Sequence, residues 1–171
     1  MVKSELEKIT HEKLLQGGIL VKMYFDMQNQ EKEKLQPLLV DLINEHLLKE
    51  KGVVYCYGAI EEPIKLNELY STSAEVTILF ENIFPLVNIA FNYTPIGLEI
   101  LKPDKEFVLK MSQLQSLILE ISNISTNYSR YILQKVLKPD DLALITKEIE
   151  NRIEMGKKVM EKLENNKKEQ T

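Results

Sequence analysis

Two carboxylates stand side by side at Glu61 and Glu62, just before Pro63, in the stretch GAIEEPI at residues 58–64. A carboxylate pair can divide acid and base roles or hold a divalent cation, provided both groups reach one point in space. Adjacent residues of an extended chain project to opposite faces, so this pair does not readily converge. The stretch lies between two strand-like runs, VVYCYG and AEVTILFE. Pro63 lacks the backbone donor that continued pairing needs. With Leu66-Asn67-Glu68 following, the segment is predicted to be a long polar hairpin connection rather than a catalytic pair.

The other chemistry-bearing residues point the same way. His11 and His46 fall on separate helix-like segments. Asp41 and Glu45 have i, i+4 spacing beside His46, but no His-Glu-x-x-His pattern or second histidine completes a metal set. A solvated helix face is the simpler reading. Cys56 is the single cysteine, which excludes an internal disulfide. Its alternating surroundings predict a small apolar core residue. No Ser-His-Asp arrangement follows from the spacing, and Gly17-Gly18 alone is not a phosphate loop. No catalytic residue, metal site or cofactor is predicted.

The elements that would position any site are better marked. Ser4 and Glu7 form a capping box for a helix over residues 4–16, stopped by Gly17-Gly18. In ILVKMYFD, Ile19, Val21, Met23 and Phe25 alternate with polar positions as a half-buried strand does. Leu35, Leu38, Leu39, Leu42, Ile43 and Leu47 then recur at helical spacing up to Gly52, with Pro37 marking the helix start or bending its first turns. Residues 53–60 and 74–81 read as strands. NIFPLVNIAFNY reads as a helix capped by Asn82, with Pro85 in its first turn, and PIGLEILKP as a final strand. The order strand, helix, strand, strand, helix, strand predicts an α+β, ferredoxin-like βαββαβ fold: an antiparallel sheet with two helices on one face. The expected organisation is an N-terminal helix (1–16), this domain (17–103), and a C-terminal helical hairpin with tail (104–171).

On the second strand Val54, Cys56, Gly58 and Ile60 form the inward set, which sends Tyr55 and Tyr57 outward. Lys22, Tyr24, Glu75, Thr77 and Glu99 fall on the same open face by alternation. These seven residues are a candidate ligand platform, read alternatively as cross-strand ion pairs on a solvated sheet. From Asp104 to Leu137 neither glycine nor proline intervenes, predicting a helix about 50 Å long. Phe107, Met111, Leu114, Ile118, Ile121, Tyr128 and Ile132 follow a 4–3 alternation along it. Leu142, Ile145, Ile149, Ile153, Met160 and Leu163 make a second stripe beyond LKPDD, predicting the hairpin. Leu117, Leu119, Ile124, Tyr131 and Leu133 lie off the first stripe. They are candidate interface residues for a homo-oligomer, expected to be a dimer, or for a protein partner. The alternative is that the helix covers the open face of its own sheet.

Composition narrows the partners. The 171 residues carry a net charge of −4, and Lys65 is the one basic residue between Val53 and Leu101. Phosphate-binding surfaces are basic, so no nucleic acid is expected. STSAEVTILFE does not resemble the aromatic signature of RNA-binding sheets. No apolar run reaches the length of a membrane span, and MVKSELEKITHEKLL lacks the apolar block of a signal peptide. No membrane contact and a cytoplasmic location are therefore expected. ELYSTSAEVTILFENI and NYTPIGLEILKP, with LQSLILEISNISTNYSRYIL, resemble a group of small uncharacterised archaeal proteins across residues 19–135. The resemblance implies a fold and no activity. The leading functional expectation is a non-enzymatic oligomerisation or protein-interaction module acting through its long C-terminal helices. A regulatory small-molecule domain resembling the ACT class is the alternative. An enzyme built at a subunit interface from Glu61, Glu75, Glu99 or Tyr57 is the reading favoured least.

Overall fold

Strand alternation produces the predicted β elements, two of them longer than expected. In chain order the computed structural model has α1 (Glu5–Leu15), β1 (Ile19–Asn29), α2 (Lys32–Asp41) running into a π-helical turn (Leu42–Leu47), β2 (Val53–Ile60), β3 (Ile64–Leu66), β4 (Leu69–Phe80), α3 (Ile83–Tyr93), β5 (Gly97–Lys102) and α4 (Met111–Val136). Residues 145–158 are helical too. The structure describes residues 5–136 and 145–158. Ser4 of the capping box, the LKPDD stretch, Leu142, Met160, Leu163 and the residues from 159 onward lie outside them. Two compact units divide the chain, Met1–Ile121 and Ser122–Thr171.

The first unit is α+β. Its sheet has the order β2–β4–β1–β5, with β3 pairing the beginning of β4, and every pairing is antiparallel. Ile19, Val21, Met23 and Phe25 of β1 meet Ala74, Val76, Ile78 and Phe80 of β4 in one core, against Leu39, Leu47, Leu86 and Ile89 from the helical segments. Period two on the strands and period 3.6 on the helices therefore deliver the same apolar set to one place.

Four local departures have physical causes. The connection after Glu61 contains β3, closed by a turn at Asn67, whose φ of 57° lies in the left-handed region that asparagine tolerates. β4 consequently starts at Leu69, and Thr72, only 4% exposed, extends the face of Ala74. Pro37 sits inside α2 rather than at its start, and the π-helical turn closes that segment with Leu48 N donating to Ile43 O at 2.9 Å. A register shift between Val53 and Tyr55 puts Val53, not Val54, against the core. Such a bulge moves one residue out of alternation while the strand beyond it keeps its faces. Finally, α4 begins at Met111 because Gln113 Oε1 accepts from Lys110 N, the return half of a capping box. The helix is therefore about 39 Å long, shorter than the apolar pattern predicts.

Gly58 faces Val76 across the β2–β4 pair. A Cβ there would stand 2.2 Å from the Glu75 carbonyl oxygen and 2.9 Å from Val76 Cα, both backbone atoms. Alanine normally stabilises a strand relative to glycine. Here Gly58→Ala is expected to destabilise by about 1–3 kcal/mol, the range of overpacked sites. Urea denaturation measures it, and an unchanged midpoint would contradict the close approach of the two strands.

Candidate functional site: the open face of the sheet

The side chains on the face away from the core come from four strands, and pairing register decides their neighbours. One cross-strand row reads Tyr57, Thr77, Lys22 and Glu99, taken from β2, β4, β1 and β5. The next reads Ala59, Glu75, Tyr24 and Gly97. Six of the seven platform residues thus share one face, and Tyr55, two positions before Tyr57 on β2, is the seventh. Lys22 stands directly opposite Thr77 and Glu99, and its ammonium reaches diagonally to Glu75 Oε1 at 2.7 Å. That hydrogen bond, opposed in part by desolvation, raises the Lys22 pKa, and the charges of Glu75 and Glu99 act in the same direction. A lysine held charged in this way is a salt-bridge partner and not a general base.

The aromatic residues are placed by small neighbours. A Cβ on Gly97 would meet the Tyr24 ring at 3.1 Å. The glycine therefore gives that ring its place on the sheet, a role legible only once β1 and β5 are paired. Tyr55 and Tyr57 stack with ring centroids 5.8 Å apart. Tyr55 is tied down by Thr10 of α1, with 2.8 Å between the hydroxyls, and burial raises its pKa. Lys13 of α1 pairs with Glu81 at 3.3 Å. Thus α1 is anchored at the Tyr55 end of this face, where Leu79 is fully buried and Thr77 is 8% exposed. Tyr57 stays 53% exposed and is the aromatic surface open to a planar ligand.

Glu61 of the opening stretch serves structure. Glu61 donates its backbone N–H to Ser73 O at 2.9 Å. Its carbonyl accepts from Thr72 Oγ1 at 2.6 Å, and its carboxylate from Ser73 Oγ at 2.8 Å. These bonds pin the end of β2 to β4. Glu45 is ion-paired with Lys49, while the His46 ring lies 6.0 Å from that of Tyr93. Asp41, Glu45 and His46 therefore do not form a metal set, and no group of three or more ligating side chains occurs among the described residues. A depression of about 300 Å³ between the α2 segment and β2 has Cys56 and Tyr57 on its wall. Glu61, Glu75 and Glu99 do not line it.

The candidate interface residues divide. Leu117 is 8% exposed, so it faces inward. Leu119 and Tyr131 are more than half exposed, and Ile124 and Leu133 are half-buried. The regular stripe that the sequence assigns to a neighbouring helix is open: Met111, Leu114, Ile118, Ile121, Tyr128 and Ile132 are all exposed, Ile118 by 59% and Tyr128 by 68%. No helix among the described residues is long and apolar enough to cross a membrane.

Comparison with known proteins adds one finding. Residues 20–169 match the model of the MJ0538 family, and the chain belongs to that family. No curated protein and no solved structure matches it.

Proposed function

We propose that this member of the family is a non-enzymatic association module that binds a helix of another chain, its own copy or a protein partner, along α4. The strand order β2–β4–β1–β5 supports reading its sheet as the ferredoxin-like split βαβ arrangement. The observation that carries the functional reading is the exposed row Met111, Leu114, Ile118, Ile121, Tyr128 and Ile132. Its 4–3 spacing is the seam of a helix that packs knobs into holes against another helix. Left in water, such a row is an apolar surface of the kind that marks an interaction site. Self-association is tested in the full chain by light scattering over a concentration series, with Ile118→Glu and Tyr128→Glu combined. Each charge introduced at the centre of a helix seam is expected to weaken association by at least about 2 kcal/mol, or about 30-fold. The variant should therefore lose the association made through α4 and show a lower mass than the wild-type chain at the same concentration, with unchanged circular dichroism. A wild-type chain that stays monomeric at high concentration and captures no protein partner would defeat this reading.

The second reading, a small-molecule domain of ACT-like type, is favoured by the exposed Tyr57 ring beside Thr77 and the Lys22–Glu75 pair. A ligand that binds only the folded state raises the melting temperature. Flat thermal shifts across amino acids and nucleotides would count against it.

A further inference from the structure

Helices shorter than about 12–15 residues are marginal in water, so a short helix keeps its place in a protein through the apolar face it buries. α2 buries Leu35 and Leu39, and α3 buries Pro85, Leu86 and Ile89. α1 has 11 residues, and none of them is buried. Its Leu6, Ile9 and Leu15 are exposed, Leu15 by 77%.

Yet α1 lies over apolar surface. Thr10 and Lys13 are three residues apart and share one side of the helix. Thr10 reaches the Tyr55 hydroxyl, and Lys13 reaches Glu81. Tyr55 is the β2 neighbour of Leu79, Leu20 is its β1 neighbour, and Glu81 follows it by two positions. The helix is thus pinned on two sides of Leu79, an open-face residue that is fully buried. Its joint to β1 has a seated half and a loose half. Gly18 is buried, and a Cβ there would stand 2.8 Å from Phe80 O. Gly17 has a φ of 97°, and a Cβ on it would meet nothing within 4 Å. Glycine enters that left-handed region at no steric cost, so the chain can pivot there.

We propose that α1 is a displaceable strap. It lifts about Gly17 while the sheet stays intact, and it uncovers Leu79 and Tyr55 beside Thr77 and the exposed Tyr57. The open face then offers a wider apolar and aromatic surface than the strapped state does. Absence of buried apolar contacts and ties that face solvent are the features of segments that open locally, far below the cost of global unfolding. The Lys13–Glu81 pair is partly exposed on both sides, and such pairs hold weakly. The strap acts on the face where the small-molecule reading places its ligand, but its opening requires neither that ligand nor the seam of α4.

Hydrogen exchange in the full, unaltered chain measures the opening. Amides of residues 9–15 are expected to exchange at least about 100-fold faster than those of Val76 and Ile78 in the core. Equal protection would overturn the proposal, because α1 would then open only with the whole domain. Lifting is read at Leu79. In a chain carrying Leu79→Cys and Cys56→Ala, maleimide should label the introduced thiol under native conditions. Adding Thr10→Val and Lys13→Glu removes one hydrogen bond and reverses one ion pair, and should speed that labelling about tenfold. Exchange at Val76 and Ile78 should stay as it was. Labelling unmoved by the two substitutions would overturn the proposal, since α1 would then fray in place rather than lift. Should the Leu79→Cys chain fail to fold, the same two substitutions are made in the otherwise unaltered chain. There, about tenfold faster exchange over residues 9–15 supports the strap, and no change overturns it.

Discussion

Replacing Phe80 with alanine is expected to lower the unfolding free energy by about 3–5 kcal/mol, the range measured for large aromatic deletions in cores. Phe80 is fully buried and is the last residue of β4. It pairs with Ile19 of β1 on one side and Val53 of β2 on the other, so three strands close around the ring. Strand backbones cannot readily collapse into the space it leaves, so the cavity persists and its cost adds to the lost transfer energy. Domains of this size have about 5–15 kcal/mol in total. The variant should therefore unfold at a much lower urea concentration with an unchanged slope. A loss under about 1 kcal/mol would mean that the ring packs less tightly than its burial implies.

The second large effect is chemical. Cys56 lies opposite Ile78 and packs against the core, and burial pushes its thiol up from 9.0 to about 11. The thiolate is the reactive form, so at any pH well below both values the folded chain should alkylate about 100-fold more slowly than the same chain in concentrated urea. Slow access alone would also retard labelling, and the pH profile separates the two causes. If burial controls the thiolate, the midpoint of the native rate profile moves from near 9 toward 11. A native profile still centred near 9 would assign the protection to access instead. Stability changes in the same pH window. Above pH 9 the unfolded thiol loses its proton while the folded one keeps it, so the unfolded state binds fewer protons. The contribution of Cys56 is therefore constant below pH 9 and declines as pH rises toward 11.

Much of the architecture was legible in residue order alone. The alternation from Ile19 to Phe25 and from Ala74 to Phe80, the Asn82 cap with Pro85 behind it, and the facing of Tyr55 and Tyr57 are all present in the fold. The Asn82 side chain accepts from Phe84 N at 3.0 Å, as its type and position predict. These features depend on a few neighbouring residues, and local periodicity reports them directly. The connection expected over residues 61–68 contains a strand that its sequence does not announce, because Ile64–Leu66 is strand only through its pairing with Leu69–Ser71. α4 starts later than its apolar spacing predicts, since that spacing runs through Phe107 while the cap is made by Gln113.

The open face shows the same division. Alternation alone assigned its residues to one side of the sheet. Which of them touch was decided by register: Lys22 faces Thr77 rather than Glu75, and the 2.7 Å bridge to Glu75 runs diagonally. The role of Gly97 beneath Tyr24 and the inward turn of Val53 arise in the same way, from contacts between residues far apart in sequence. The sequence by itself determined the order of the main elements, the core faces of β1 and of the second half of β4, and the apolar stripe of α4, because each is a periodic property of a short segment. Only the tertiary structure decided that the α4 stripe is exposed and that β5 pairs with β1 alone among the described residues. Exposure depends on what the rest of the chain covers, and no local pattern records that.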